Sequence, residues 1–354
     1  MGLTQDLFNE NDTPYRESSR INQSLLKDVI KNVTRLEDEE PTEAMEDGTI
    51  VDCLITTPEL FNDKYLVRDI EIPDGQFKGA IDKVWPFVEL DSMEIYRDDL
   101  IGAYREISNN NWKDDTVWNK LLLCKPYWNT LWEAKGKKVI SISDFTLYQQ
   151  VATNLLTGAT GKWLSSDGLV ETIEFQKAIY FDYELDGEVY ECKALLDALR
   201  FNHVERTVRM VDVKTTSGST KYWPLLAKKL RYDIQASFYQ EALKFAYPDW
   251  TVLPPVFVVE SIKYPGKPRA FECTDIDLKT GKYGCDVMRG FTILCRDGDD
   301  IPCESEEIYK TELGFEDALR ILSQSKQFGL NDYDVDYYFH VKNNETYKLN
   351  VFVQ

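Results

Sequence analysis

Hydrophobic and polar positions change period near the middle of the chain. Between Ile21 and Val33, Leu25, Leu26, Val29 and Ile30 recur at helical spacing behind a cap at Asn22 or Ser24. The acidic run Glu37-Asp38-Glu39-Glu40-Pro41 reads as a loop. A second helix is expected from about Asp47-Gly48-Thr49, carrying Ile50, Val51, Cys53, Leu54 and Ile55, and ended by Pro58. Residues 70–135 show the weakest periodicity; they are rich in Trp, Asp and Asn, with a turn at Asn109-Asn110-Asn111. Lys138–Ile142 starts a new segment, and Ser143 or Asp144 caps a helix that runs to about Leu156. From Glu171 the period becomes two. Ile173–Tyr183 alternates, Asp186-Gly187 makes a hairpin turn, and Val189–Leu199 returns. Asn202–Glu205 turns again and Thr207–Thr216 forms a third strand. A helix over Leu225–Phe245, a strand over Pro254–Lys263, a helix over Phe315–Gln327 and a strand-like stretch over Asp332–Val353 follow.

This order predicts an α/β (α+β) fold: a mixed central sheet flanked by helices, with extra N-terminal helices and a C-terminal extension. The domain reading is a flexible segment 1–20, a main domain 21–300 with an insertion at 70–135, and an extension 301–354. No internal repeat is visible.

Composition narrows the classes. The chain has 354 residues, with 41 Lys and Arg against 61 Asp and Glu, hence a net charge of −20. Its apolar content of 43% is that of a globular protein. The longest apolar run, Val252–Val259, holds two prolines and falls far short of the ~20 residues that span a bilayer. The opening residues offer neither the basic start nor the apolar core of a signal peptide, and Gln5-Asp6 does not suit myristoylation. Seven cysteines without a C-x-x-C pair read as reduced thiols in the cytoplasm. A uniform negative field repels phosphate, so a nucleic-acid function requires a local positive patch.

The chemistry centres on Asp197 and on Asp212-Val213-Lys214-Thr215-Thr216. Asp212 and Lys214 share a strand face, with Val211 and Val213 turned to the core. If the turn is Asn202–Glu205, paired residue numbers sum to about 407, and Asp197 falls within a residue or two of Asp212. Two carboxylates and an ammonium at one point suit Mg²⁺ or Mn²⁺ and phosphodiester hydrolysis. Acid-x-Lys alone carries little: it occurs at Glu133/Lys135, Glu191/Lys193, Asp212/Lys214 and Asp277/Lys279. The copy at 212 sits in a β-branched strand, has a second aspartate in a paired strand, and precedes a helix with Gln235 and Tyr239 on one face. Residues 200–244 hold nine Lys/Arg and four acids, the positive segment that a DNA function needs.

Together, Asp197, Asp212-Val213-Lys214-Thr215-Thr216 and Gln235-Ala236-Ser237-Phe238-Tyr239 resemble the core of PD-(D/E)XK nucleases, whose fold is restriction-endonuclease-like, and in particular the RecE-like exonuclease VIII group. Ile21-Asn22-Gln23-Ser24-Leu25-Leu26-Lys27, the stretch Gly48–Leu54 and Lys138-Val139-Ile140-Ser141 resemble the N-terminal half of that group, so the likeness covers roughly residues 20–265. The resemblance implies a Mg²⁺- (or Mn²⁺-) dependent exonuclease degrading duplex DNA ends from the 5′ end. It also implies a ring-shaped homo-oligomer and a single-strand annealing partner, often in a phage or prophage and so in the bacterial cytoplasm. Asp197, Asp212 and the Val213 carbonyl would hold metal, Lys214 would be the catalytic lysine, and Gln235 and Tyr239 would orient it or the substrate. Thr215, Lys228, Lys229 and Arg231 would contact DNA. Asp52 stands where the group usually has histidine and would be a further metal ligand; Glu174 or Gln176 stands for a glutamate before the core strands. His203 and His340 read as structural. Cys285, Cys295 and Cys303 lack iron–sulfur spacing. The tryptophans at 112, 118, 128, 132 and 163 read as core residues before base-stacking ones, and Arg105 and Lys162 remain open as phosphate contacts. Two other readings stay open: a single-strand or structure-specific endonuclease of the same fold, and a catalytically inactive acidic DNA mimic.

Overall fold

The computed structural model describes residues 13–31, 42–73, 75–288, 293–295 and 308–328. The expected strand over Asp332–Val353 and His340 lie outside these residues. The chain divides into two units, residues 57–150 and the remainder, and the insertion expected at 70–135 lies within the first of these ranges.

In the larger unit a short helix, Thr13–Glu17, precedes α1 (Gln23–Ile30) and α2 (Glu43–Thr56). The Asn22 side chain caps α1 by accepting from the Leu25 N–H at 2.9 Å. The period-two stretch then forms the longest ladder, β1 (Glu171–Leu185) against β2 (Glu188–Asn202). Asp186 and Gly187 both take positive φ, 54° and 82°, as a tight two-residue hairpin turn requires. Asn202 makes the next turn, its Oδ1 accepting from the N–H groups of Val204 and Glu205. Strand β3 (Thr207–Thr216) then pairs antiparallel with β2. After a short helix, Trp223–Lys229, helix α3 (Tyr232–Ala246) carries the chain back to β4 (Val256–Ser261), which lies parallel to β3. Strand β5 (Arg269–Glu272) closes the far edge antiparallel, and Thr251–Val252 adds a short parallel pair to β3. The expected α/β core, a mixed central sheet flanked by helices, is thus observed.

Helix α4 (Asp275–Tyr283) and helix α5 (Phe315–Phe328) follow. Phe315, Leu319 and Leu322 of α5 share one core with Leu26 and Val29 of α1, Phe238 and Leu243 of α3, and Ile179 and Phe181 of β1. Expected as part of an extension, α5 belongs instead to the main core, because its apolar stripe fills the same face of the sheet. The Phe238 ring lies 5.2 Å from Phe181 and 5.6 Å from Phe315, which ties α3 to sheet and helix at once.

Two other expectations change. The single helix over Leu225–Phe245 is broken at Leu230-Arg231, where Arg231 takes a left-handed φ of 54°. Its guanidinium grips Asp233 through Nε and Nη2 and the Leu313 carbonyl at 2.7 Å, which fixes the bend. Residues 13–20, expected to be flexible, are docked on the sheet. Lys193, 4% exposed, donates to the carbonyls of Tyr15 (2.6 Å) and Ser18 (2.8 Å), and Arg20 bonds Asp182.

The unit 57–150 has its own core. A parallel pair, Tyr65–Arg68 with Lys138–Ser141, accompanies helices that bury Ile81, Leu100, Tyr104, Leu121 and Trp128. Trp128 meets Trp85 edge-on at 5.1 Å and is a core residue, while Trp112 and Trp132 are 40% and 38% exposed. Arg105 is spent on Asp114 and on the carbonyls of Asn110 and Trp112. Among the described residues no helix is long and apolar enough to cross a membrane, and Cys53, Cys124, Cys192, Cys273 and Cys285 form no disulfide.

Helix α4 lies so close to α3 that a Cβ on Gly281 would sit 2.1 Å from the Asp233 carbonyl oxygen and 2.2 Å from Ser237 Oγ. Gly281→Ala must push the two helices apart. It is expected to cost about 1–3 kcal/mol in chemical denaturation, the usual penalty of overpacking.

Candidate active site

Strands β2 and β3 pair from Asn202↔Thr207 to Ala198↔Val211, and there the ladder ends. Numbers sum to 409 rather than the expected 407, because the four-residue turn is 203–206, one position later than Asn202–Glu205, and ends on the left-handed Arg206. Asp197, the next residue of β2, therefore lies level with Asp212. Its Oδ2 accepts from the Val213 N–H at 2.9 Å, supplying the bond that a backbone carbonyl would have made had the ladder continued. The N–H and C=O of one strand residue point to the same side, so the Val213 carbonyl faces this notch too.

Both faces of β3 are buried, which differs from the expectation of one core face and one open face. Val208 and Met210 belong to the core beneath α3, and Asp212 continues their row at 1% exposure. Val211, Val213 and Thr215 turn the other way, where α2 packs: a Cβ on Gly48 would stand 3.1 Å from Thr215 Oγ1. A carboxylate this deep needs partners. Asp212 Oδ1 accepts from Gln235 Nε2 of α3 at 2.7 Å, and Oδ2 pairs with the Lys214 ammonium. Tyr239, one turn beyond Gln235, is buried as well. Burial first, then Tyr15 and the carboxylates of Asp212 and Asp197, hold its phenol well above its ordinary pKa, against the pull of the Leu195 backbone.

Lys214 lies 5.3 Å from the Tyr232 ring centre and 6.0 Å from that of Phe257. Burial alone would lower its pKa. The carboxylates of Asp212 and Asp197 outweigh it, and the net shift is upward. Lys214 is thus an ammonium throughout the neutral range. Tyr232 and Phe257 also border a cavity of about 390 Å³ with Trp223, Phe271, Lys228 and Arg231.

The sequence-derived positions are distributed as follows. Asp197, Asp212, Val213, Lys214, Gln235 and Tyr239 converge on the notch. Asp52 is tied to the residue that faces Asp197: its Oδ2 accepts from Gln176 Nε2 at 3.0 Å. Among the described residues no group of three His, Cys, Asp or Glu is arranged to hold a metal ion. Of the two candidates for the upstream acid position, Glu174 pairs with Lys177. Gln176 lies opposite Asp197 where the β1–β2 ladder lacks one pair, with a left-handed φ of 49°. A non-glycine residue strained in mid-strand marks a place where side-chain direction matters more than pairing. His203 bonds Thr172, as a structural residue does.

The positive segment is weaker than its count. Arg200, Arg209, Lys214, Arg231 and Lys244 are ion-paired with Glu171, Glu272, Asp212, Asp233 and Glu241. Arg231 in particular is a structural clamp rather than an open contact. Arg206, Lys221, Lys228 and Lys229 stay exposed. Sequence reading missed Lys27 and Tyr232, which join the site from α1 and the start of α3. Lys27 stands 4.8 Å from the Tyr232 ring centre.

No protein-family model and no curated protein matches the chain. Among solved structures, one that it is similar to is a candidate exonuclease from Eubacterium rectale. The TM-score is 0.39 and the identity 15%, over 78% of this chain and 80% of that one. Another is the protein SSO0001, with a TM-score of 0.22 and 13% identity over 56% of this chain and 75% of that one. Likenesses this loose carry no argument about the site, which rests on its own geometry.

Gln235→Ala leaves Asp212 Oδ1 buried without its donor. A loss of about 1–3 kcal/mol in urea unfolding is expected; unchanged stability would show that the bond does not hold the carboxylate.

Proposed function

We propose that the chain is a metal-dependent DNA exonuclease that hydrolyses phosphodiester bonds at duplex ends. One observation carries the reading: Asp197 and Asp212 stand side by side where two strands part, with one ammonium, Lys214, held by the same carboxylates.

The donor set suits a small hard cation. Two carboxylates and a backbone carbonyl are all oxygen, and Mg²⁺ is commonly bound by one or two carboxylates, with substrate phosphate and water filling its remaining positions. Asp197, Asp212 and the Val213 carbonyl would hold it. When bound, Mg²⁺ or Mn²⁺ supplies a lowered water pKa and stabilisation of the charge that develops on phosphate.

The chain's own residues do the rest. Gln235 fixes the Asp212 carboxylate by taking one oxygen, so that its plane does not swing. Lys214, ion-paired with Asp212, is a donor and a positive charge at the site. It orients the attacking water or offsets charge on a non-bridging oxygen. The Tyr232 and Phe257 rings lie beside that ammonium. Exposed Lys228 and Lys229 offer contacts to the strand leaving the site; Thr215, turned toward α2, does not. Cleavage from the 5′ end, a homo-oligomeric ring, an annealing-protein partner and a role in phage or prophage recombination extend the same proposal by resemblance.

Digestion of linear duplex DNA labelled at its 5′ or 3′ end, beside a closed circle, tests the proposal. The expected result is mononucleotide release from the linear DNA in Mg²⁺ and none in EDTA. Lys214→Ala should lower kcat by about 10²–10³-fold while the protein keeps its fold, the cost of removing one preorganised charge. Full activity in that variant overturns the assignment, and cleavage of the circle replaces it with an endonuclease.

A further inference from the structure

We propose that Lys27 is a phosphate-binding residue of this site, its ammonium taking a non-bridging oxygen of the nucleic-acid backbone beside the bond that Asp197, Asp212 and Lys214 address. The inference rests on the nuclease reading above and adds a residue and a contact to it.

Helix α1 turns Leu26, Asp28 and Val29 inward. A lysine next to that face has an easy course, which is to extend into water. Lys27 does not take it. Its nitrogen lies over the Tyr232 ring at 4.8 Å, and the Lys214 nitrogen lies 5.3 Å from the same ring. Two ammonium groups therefore flank one aromatic side chain. Lys214 has Asp212 as its counter-ion. Among the described residues Lys27 has no carboxylate within 4.0 Å and no hydrogen-bond acceptor; the ring is its contact.

The arrangement is costly in the free protein. Burial first, then the charge of Lys214 and to a lesser degree Lys31, lowers the Lys27 pKa to about 7, with Asp212 and Asp233 opposing. A half-buried cation with a like charge for a neighbour is stabilised by an anion shared between them. A phosphodiester brings one negative charge and two free oxygens, and lysine is a common point-charge partner for phosphate. Tyr232 sets the spacing between the two ammonium groups. Its own phenol is raised by burial, Lys214 pulling it down, so it stays neutral and does not neutralise either lysine.

The experiment uses the full chain, a short labelled DNA duplex in EDTA so that binding is read without cleavage, and a KCl series. Each phosphate neutralised contributes about 0.9 to the slope of log K against log[salt]. Lys27→Gln is expected to bind more weakly and to lose about that much slope, with Lys27→Arg restoring it. Lys27→Met, which removes an uncompensated buried charge, is expected to melt at the same temperature as the wild type or higher while showing the same binding defect. A merely structural lysine predicts the opposite: lower melting and an unchanged slope. An unchanged slope in Lys27→Gln, with a wild type that cleaves in Mg²⁺, overturns the Lys27 assignment and leaves the nuclease reading standing. A reduced slope in a wild-type background that never cleaves keeps the phosphate contact and removes the nuclease. A wild type that neither binds nor cleaves removes both.

Discussion

A carboxylate buried in the middle of a sheet governs this molecule. Asp212 occupies a position that Val208 and Met210 mark as core, and an isolated charge there is untenable. Its neighbours answer that requirement. Gln235 enters from α3, Lys214 folds back from the same strand, and Asp197 closes the open edge by bonding the Val213 N–H. Helix α3 has to arrive at one angle to present Gln235, and the left-handed bend at Arg231, bolted to Asp233 and Leu313, supplies it. Structure and chemistry thus share residues: the groups that make Asp212 tolerable are the groups that a phosphodiester would meet.

Charge follows a similar economy. A chain of −20 would be a poor host for DNA, and the segment 200–244 looks like compensation until its cations are followed to their partners. Five of the nine hold the fold together. What remains for a phosphate is a short set at the surface, Arg206, Lys221, Lys228 and Lys229, together with Lys27 beside Tyr232.

The hairpin, its turn and the strand at 207–216 were legible because alternation is a local signal, written in neighbouring residues. Asp197, Asp212, Lys214, Gln235 and Tyr239 followed from it. The register differs from expectation by two because the turn sits one residue later and ends on the left-handed Arg206, a conformation that its side chain does not announce. Asp52, set at a histidine position by resemblance, bonds the residue facing Asp197 across 124 positions of chain, a contact that no local pattern carries. Arg231 was counted as a surface cation because its partners at 312 and 313 lie some eighty residues away. Lys27 was invisible for the same reason: nothing within α1 says that Tyr232 will stand beside it.

The acid-x-Lys pair dismissed as generic, Glu191/Lys193, turns out to organise the beginning of the chain. Lys193 is buried at 4% in β2, and the carbonyls that solvate it come from Tyr15 and Ser18, 178 and 175 positions earlier. These residues act as an internal solvent shell for a lysine that water does not reach. Strand β2 is therefore completed by a segment that was synthesised long before it and must return to it. Contacts of that span are formed late and slow the approach to the native state. A truncation at the first helix would shorten more than a tail: it would strand an ammonium in the sheet that carries Asp197.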